Sequence, residues 1–264
     1  MFAHIKVVLL GLAALASLTI ASAALAEDAS LPTDVPPGVK IVLADDANNA
    51  ASLLKLSGEY EKLAADVSFA NFSSGPLRLE AIRAGAAQVG AVGDVPPILA
   101  HYSGADVVIV GVVVSRGPTT IIATAPNSGI KEIGDLKGKK IGINPGTAQQ
   151  AIVFRNLRAA GLTPDDIVPI NLGLSEFADA LRAGQIDAAV LKQPDRARYL
   201  KSVDGTGAAE IQDAGDGNKN LKILYAAKTA LQDPAQAAAI RDLVIHWYRA
   251  HLWKNDNADV WARD

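Results

Sequence analysis

Short uncharged runs alternate with longer amphipathic stretches from residue 39 onward. Residues 39–44, in which Ile41, Val42 and Leu43 are continuous, have the unbroken apolar character of a buried parallel strand. The polar turn Asp45-Asp46-Ala47-Asn48-Asn49 follows, and then a helix over 51–65 whose buried side is Leu53, Leu54, Leu56 and Leu63. The pattern next predicts a strand over 67–72, a helix over 77–84 stopped by Gly85, a strand over 89–92 and a short helix over 98–103 stopped by Gly104. Residues 107–114 carry no charge and form the most strand-like run in the chain. Strands alternating with helices in this way specify a doubly wound parallel sheet.

After Arg116-Gly117-Pro118 the pattern restarts. Strands are predicted over 119–124 and 140–144, a helix over 147–160 with Val153, Leu157 and Ala160 on one face, a strand approach over 165–170, a helix over 175–183 and a strand over 188–191. Residues 205–220 are rich in Gly and Asp and read as surface loop, 221–226 as a strand returning to the first unit, and 234–264 as one or two helices. The expected fold class is therefore α/β with two lobes, each a doubly wound mixed sheet with flanking helices. Two hinge crossings, at 116–120 and 221–227, would join the lobes and let them close on a ligand. The expected boundaries are lobe 1 at 39–117 plus 226–264, lobe 2 at 118–225, and a proline-containing arm at 27–38.

Residues 1–26 add an export signal. Lys6 supplies the positive region, 7–20 the apolar region and Ala24-Leu25-Ala26 a small-x-small cleavage site. The rival reading, a membrane anchor, fits a short Ala-rich run followed by acidic Glu27-Asp28 less well. The chain of 264 residues has no cysteine, which excludes disulfides, a thiol nucleophile and amino-terminal lipidation. A soluble periplasmic protein, not a lipoprotein, is expected. A net charge of −3 without a basic block argues against a nucleic-acid partner.

The candidate chemistry lies at three loop-to-helix junctions: 73–76, 93–97, and Asn144-Pro145-Gly146-Thr147. Proline is tolerated at a helix start because that N–H has no intrahelical partner. The remaining free N–H groups and the helix dipole favour an oxyanion, and glycine lets a ligand approach the backbone. The candidate ligand-binding residues are Ser73, Ser74, Gly75, Gly93, Asp94, Gly146, Thr147 and Ala148 at the junctions. Asn48 in the first turn, Thr119 and Thr120 at the first crossing, and Lys192 after the strand 188–191 complete the set. Ordinary helix capping is the alternative for each Ser and Thr taken singly. Asp94 is either a cap or a ligand contact, and Asp45 and Asp46 either face the cleft or lie solvated in their turn. Lys192 is either an anion contact or a solvated lysine, and Arg116 is assigned a lobe-to-lobe contact. Trp247, Trp253 and Trp261 all fall in the C-terminal helices and read as packing against the first lobe. His101, His246 and His251 have no metal-ligand spacing, so neither a metal nor a cofactor is expected.

The stretch 72–97 contains Ser74-Gly75-Pro76, then Glu80-Ala81-Ile82-Arg83-Ala84-Gly85, then Gly93-Asp94-Val95-Pro96-Pro97. It resembles the first-lobe signature of the aliphatic sulfonate, taurine and nitrate group of ABC-transporter substrate-binding proteins, and the wider resemblance runs from about residue 39 to the end. The resemblance implies a type II periplasmic binding protein, a monomer without catalytic activity. Such a protein captures a small organic sulfonate, alkanesulfonate foremost, and delivers it to a membrane permease driven by an ATPase. Taurine, nitrate or a sulfate ester are the alternative ligands; a non-transport sensor or an enzyme on the same fold are the alternative roles. The desulfinase among such enzymes needs a cysteine, and there is none. One departure stands out: where many members carry Trp, an acidic residue and Pro, this chain has Lys192-Gln193-Pro194, so the aromatic wall is missing. Residues 260–264 carry no helix stop, whereas members of the group run on for several turns, so a truncated chain is expected.

Overall fold

The computed structural model describes residues 32–115, 120–193, 195–211 and 220–261. The stretch expected to be an export signal, together with Arg116, Thr119 and Pro194, lies outside them. The first sheet collects β1 (Lys40–Asp45), β2 (Asp66–Asn71), β3 (Val89–Val92), β4 (Val107–Ser115) and β10 (Asn220–Ala227) in the order β2-β1-β3-β10-β4. β1 pairs in parallel with β2 and β3, while β10 runs antiparallel between β3 and β4. The second sheet collects β5 (Thr120–Thr124), β6 (Lys140–Ile143), β7 (Val168–Asn171), β8 (Ala188–Lys192) and β9 (Glu210–Ile211) in the order β7-β6-β8-β5-β9. β6 is parallel to β7 and β8, and β5 lies antiparallel to β8 and β9. Each lobe is thus a mixed sheet, and the chain passes between the two after Ser115 and again after Ile211.

Alternation along the strands of the second sheet explains why helices cover both of its faces. Ile122 and Val190 enter one core with Ile141 and with Ile152, Val153 and Leu157 of helix α4 (Ala148–Ala159). Their neighbours Ile121 and Leu191 enter another, with Phe177 and Leu181 of α5 (Phe177–Arg182) and Tyr199 of α6 (Asp195–Ser202). This is the period-2 side-chain rule applied to a sheet buried on both sides.

The first sheet packs Ile41, Leu43, Val89 and Leu224 against Leu54 of α1 (Asn49–Leu56), Ile82 of α2 (Gly75–Arg83), and Leu243 and Trp247 of the long α8 (Pro234–Asp256). Trp247 is 2% exposed and Trp261 of α9 (Ala258–Trp261) packs on the same core, as expected, whereas the half-buried Trp253 is not part of it. Tyr248 closes a gap in the edge strand. Its hydroxyl accepts from Val112 N at 2.8 Å and donates to Val112 O at 3.1 Å, near the bulge that shifts the register between Leu224 and Tyr225.

Several predicted boundaries move for identifiable reasons. The helix expected over 51–65 ends at Leu56, because Gly58 adopts φ 68° and a 3-10 turn at Tyr60–Lys62 follows. Leu56 is consequently exposed and does not line the core. α2 starts at Gly75 and α3 (Val95–Tyr102) at Val95, both earlier than predicted, because their prolines occupy the first turn without interrupting it. On α4 the buried face runs through Ile152, Val153, Asn156 and Leu157, and Ala160 is an exposed C-cap. The strand approach at 165–170 is a 3-10 turn at Pro164–Asp166 followed by β7. β10 belongs to the first sheet along its whole length, so the expected lobe boundary at 225/226 falls inside a strand. Residues 221–227 are likewise strand and not a crossing. α6, β9 and the short α7 (Lys228–Gln232) were not expected.

Candidate functional site

Parallel strands that carry helices at their C-terminal ends bring those ends together, and the two lobes meet along them. Gly93, after β3, lies so close to Ala148 of α4 that a Cβ on Gly93 would stand 3.0 Å from the Ala148 Cβ. Gly146 faces Pro76 and Leu99 of the first lobe, where a Cβ would stand 3.0 and 3.2 Å away. Gly75 is equally tight against Pro96, which a Cβ would meet at 2.3 Å. All three predicted junctions therefore converge, and two of them touch the third across the seam between lobes.

The caps at these junctions are partly the ordinary ones. Ser74 is the N-cap of α2 and accepts from Leu77 N at 3.5 Å; Thr147 is the N-cap of α4 and accepts from Gln150 N at 3.3 Å while donating to Asn144 O at 2.7 Å. The Gly146 N–H is taken by Gln150 Oε1 at 2.8 Å. Ser73 is exposed. Asp94 sits at the N-cap of α3 in an αR conformation, and its side chain makes no capping bond there, so the capping alternative fails. Thr120 opens β5 opposite Lys192 in the antiparallel pair with β8.

The α1 junction differs. Its N-terminal donors are occupied by a carboxylate of the chain itself. Asp45, 1% exposed at the end of β1, accepts from Asp46 N at 2.7 Å, Ala50 N at 3.0 and 2.9 Å, and Ala51 N at 3.0 Å. Asp45 is therefore neither a solvated turn residue nor a cleft residue. Asn48 holds φ 59° as the N-cap of α1 and is tied to β2: its N–H donates to Asn71 Oδ1 at 2.7 Å, and Asn71 Nδ2 donates to Asn48 Oδ1. That pairing, not a free amide, is what Asn48 presents.

Asp46, the next residue, turns the other way. It forms an ion pair with Lys192, which reaches across from the end of β8 in the second lobe. Arg78 of α2 stands 3.8 Å from the same carboxylate. Burial pushes the Asp46 carboxyl up, but Lys192, Arg78 and Lys222 together outweigh it and hold it below its ordinary range. Lys192 is thus a half-buried, paired lysine and not a free one. Arg78 is 5% exposed; its Nη1 donates to Phe72 O at 2.8 Å and Asp45 O at 3.4 Å, joining β1, β2 and α2. Its Nε and the Tyr225 hydroxyl are buried without a hydrogen-bond partner among the described residues. Lys222 of β10 is crowded by protein and by Lys192 and Lys254, which lowers its ammonium pKa to about 8; the side chain keeps accessible surface, so solvent screens part of this. Sequence reasoning missed Arg78 and Lys222 altogether. Only the alternation of β10 hinted at Lys222, and nothing local marked Arg78.

A second charged group lies away from the seam. His246 Nδ1 and Glu59 Oε2 are 2.7 Å apart within the first lobe, tying α8 to the segment after α1. Burial raises the Glu59 carboxyl, but bonds from Lys62 and His246 leave it below its ordinary range. Among the described residues no group of His, Asp or Glu has the geometry to hold a metal ion, and no helix is long and apolar enough to cross a membrane.

Comparison with known proteins follows the same architecture. The NMT1/THI5-like family model matches residues 60–239. A protein of Escherichia coli (strain K12) named for binding aliphatic sulfonates is 35% identical over 162 residues, 61% of this chain and 50% of that protein. One so named in Bacillus subtilis (strain 168) is 30% identical over 135 residues, 51% of this chain and 41% of its own length. The chain thus spans about half the length of the curated relatives it matches, or less. Among solved structures, the periplasmic aliphatic sulphonate binding protein SsuA from Escherichia coli aligns with a TM-score of 0.67 and 28% identity, covering 85% of this chain and 76% of that one. The alkanesulfonate-binding protein SsuA from Xanthomonas axonopodis pv. citri, bound to MOPS, aligns with a TM-score of 0.71 and 24% identity, covering 86% and 78%. The fold is that of the two-lobed periplasmic binding proteins.

Proposed function

The chain belongs to the NMT1/THI5-like family, and from that premise we propose that it is the solute-binding component of an ABC importer. It captures a small organic sulfonate, alkanesulfonate foremost, between its lobes and delivers it to a membrane permease and its ATPase. The observation that carries this reading is the convergence of the 73–76, 93–97 and 144–147 junctions across the seam. A sulfonate is a permanent anion that needs only donors, and helix starts supply them. The sulfonate-binding names of the relatives support the same ligand class.

The lobes meet directly at Gly93 and Ala148, so a ligand enters only when they part. It then contacts both lobes only on closure, and in this way shifts the population toward the closed state. The protein acts as a periplasmic monomer. It binds and does not transform its ligand, a reading supported by the absence of cysteine. The candidate contacts are Ser73, Gly93, Asp94, Ala148 and Lys192, with Ser74 and Thr147 fixing the helix starts behind them. The sequence carries Lys192-Gln193 where many members of the group have tryptophan and an acidic residue, so taurine, a sulfate ester and nitrate stay in the panel.

A thermal-shift screen tests this. Saturation at about 100 times Kd stabilises by roughly 2.7 kcal/mol, which moves the midpoint of a chain this size by roughly 5–10 °C. The expected result is a shift with alkanesulfonates and none with sulfate. A folded sample that no sulfonate shifts would overturn the proposal.

A further inference from the structure

The ligand's anionic group needs a specific place at the seam, and the charged side chains there point to one. Two cations, one from each lobe, flank a single carboxylate: Arg78 of α2 stands 3.8 Å from Asp46 and Lys192 of β8 forms an ion pair with it, while the exposed Lys222 of β10 adds only to the surrounding field. Lys254 of α8 adds to the field at Lys222. Asp45 offsets part of the field at Arg78, so the attraction for an anion centres on Lys192 and Arg78, one from each lobe, with Lys222 and Lys254 adding positive field beside them. The unpartnered Arg78 Nε and Tyr225 hydroxyl add buried polar capacity beside them.

We infer that Arg78 and Lys192 form a basic subsite at the seam that takes the ligand's anionic group, with Asp46 as the resting counter-ion that this group displaces from Lys192. The inference rests on the sulfonate reading above and goes beyond it: it places the anion on side-chain cations and not on helix starts alone. The exchange is feasible because neither partner is stranded. Asp46 keeps Arg78 at 3.8 Å when Lys192 leaves, and Lys192 gains the ligand's charge. Both side chains reach solvent at 22% and 23% exposure, so the pair lacks the penalty of breaking a fully buried one. Lys192 and Asp46 belong to different lobes. In the empty protein their pairing holds the lobes together, and in the complex the ligand replaces that bridge.

The sign of the surrounding field also orders the ligands. Lys222 and Lys254 extend positive field beside the Asp46–Lys192 pair, so a sulfonate carrying a second anionic group binds more tightly than one with a neutral tail. A sulfonate carrying an ammonium group binds less tightly than either.

Isothermal titration of the purified chain with sulfoacetate, ethanesulfonate and taurine tests this. The expected order of affinity is sulfoacetate, ethanesulfonate, taurine. Lys192→Gln weakens ethanesulfonate binding by about tenfold, the scale of one charge-assisted contact, and Lys222→Gln, which removes field and no contact, weakens it by less. Asp46→Asn strengthens it, because the competing counter-ion is gone; a merely structural Asp46 would move the affinity the other way or not at all. Asp46 stands outside the core, so Asn is tolerated, and the two lysine variants keep the test open should it fold poorly. Ethanesulfonate affinity that is unchanged in both lysine variants, or weakened by Asp46→Asn, overturns the inference while leaving sulfonate binding intact. A folded wild type that binds none of the three probes overturns the sulfonate reading and this inference with it.

Discussion

Replacing Asp45 with alanine removes the acceptor for three backbone N–H groups at once: Asp46, Ala50 and Ala51, at 2.7 to 3.0 Å. The site is 1% exposed, so water does not readily take the carboxylate's place. Leaving one buried donor unpaired costs about 1–3 kcal/mol, and bonds to a charged acceptor lie at the upper end. Loss of the negative charge at the start of α1 costs about 0.3–1 kcal/mol more. These contributions share one side chain and are not fully additive, so a total of about 4 kcal/mol is expected. For a chain of this size that lowers the melting midpoint by roughly 8–16 °C. Asp45→Asn keeps the shape and one acceptor oxygen, and should cost about half as much. Thermal unfolding followed by far-UV circular dichroism reads both. An Asp45→Ala midpoint within about 2 °C of wild type would show that these donors find other partners and that the carboxylate does not hold α1.

Three further outcomes follow from the same structure. Gly93→Val puts extra atoms where a Cβ alone would already stand 3.0 Å from Ala148; the lobes then cannot meet, and sulfonate affinity falls by about tenfold with an unchanged melt, whereas wild-type affinity would mean that binding needs no closure. The Asp46 carboxyl is held low in the folded state, so its contribution is present above the unfolded value of about 3.9 and lost as pH falls through the folded value. The radius of gyration by small-angle scattering should therefore stay constant down to about pH 4 and rise only below it; swelling at pH 6 would contradict the pairing. Trp247→Ala, emptying a site 2% exposed under the first sheet, should cost about 3–5 kcal/mol in urea unfolding, and a cost under about 1 kcal/mol would mean that the C-terminal helix is not part of that core.

Much of the scaffold was legible because burial leaves a local mark. The strands β3, β4 and β8 are short apolar runs, and they form within a residue of where those runs lie. Residues whose role depends on distant partners left no such mark. Asp45 caps a helix from five and six residues upstream, outside the spacing of a capping box. Lys192 and Asp46 are 146 residues apart, and neither sits in a motif that names the other. α6 escaped notice because of its residues only Tyr199 is buried, which leaves no apolar stripe to read. The three junctions were recognisable singly, but not that Gly93 and Gly146 are the points where the lobes touch. Glycine reports a close approach without saying to what.

The most direct measurement is a crystal structure of the chain grown with ethanesulfonate. One sulfonate is expected at the seam, within hydrogen-bonding distance of Lys192 and of a helix start in each lobe, with Asp46 released from Lys192 and still beside Arg78. A closed seam with the Asp46–Lys192 pair intact and the sulfonate elsewhere, or no sulfonate at saturating concentration, would contradict it.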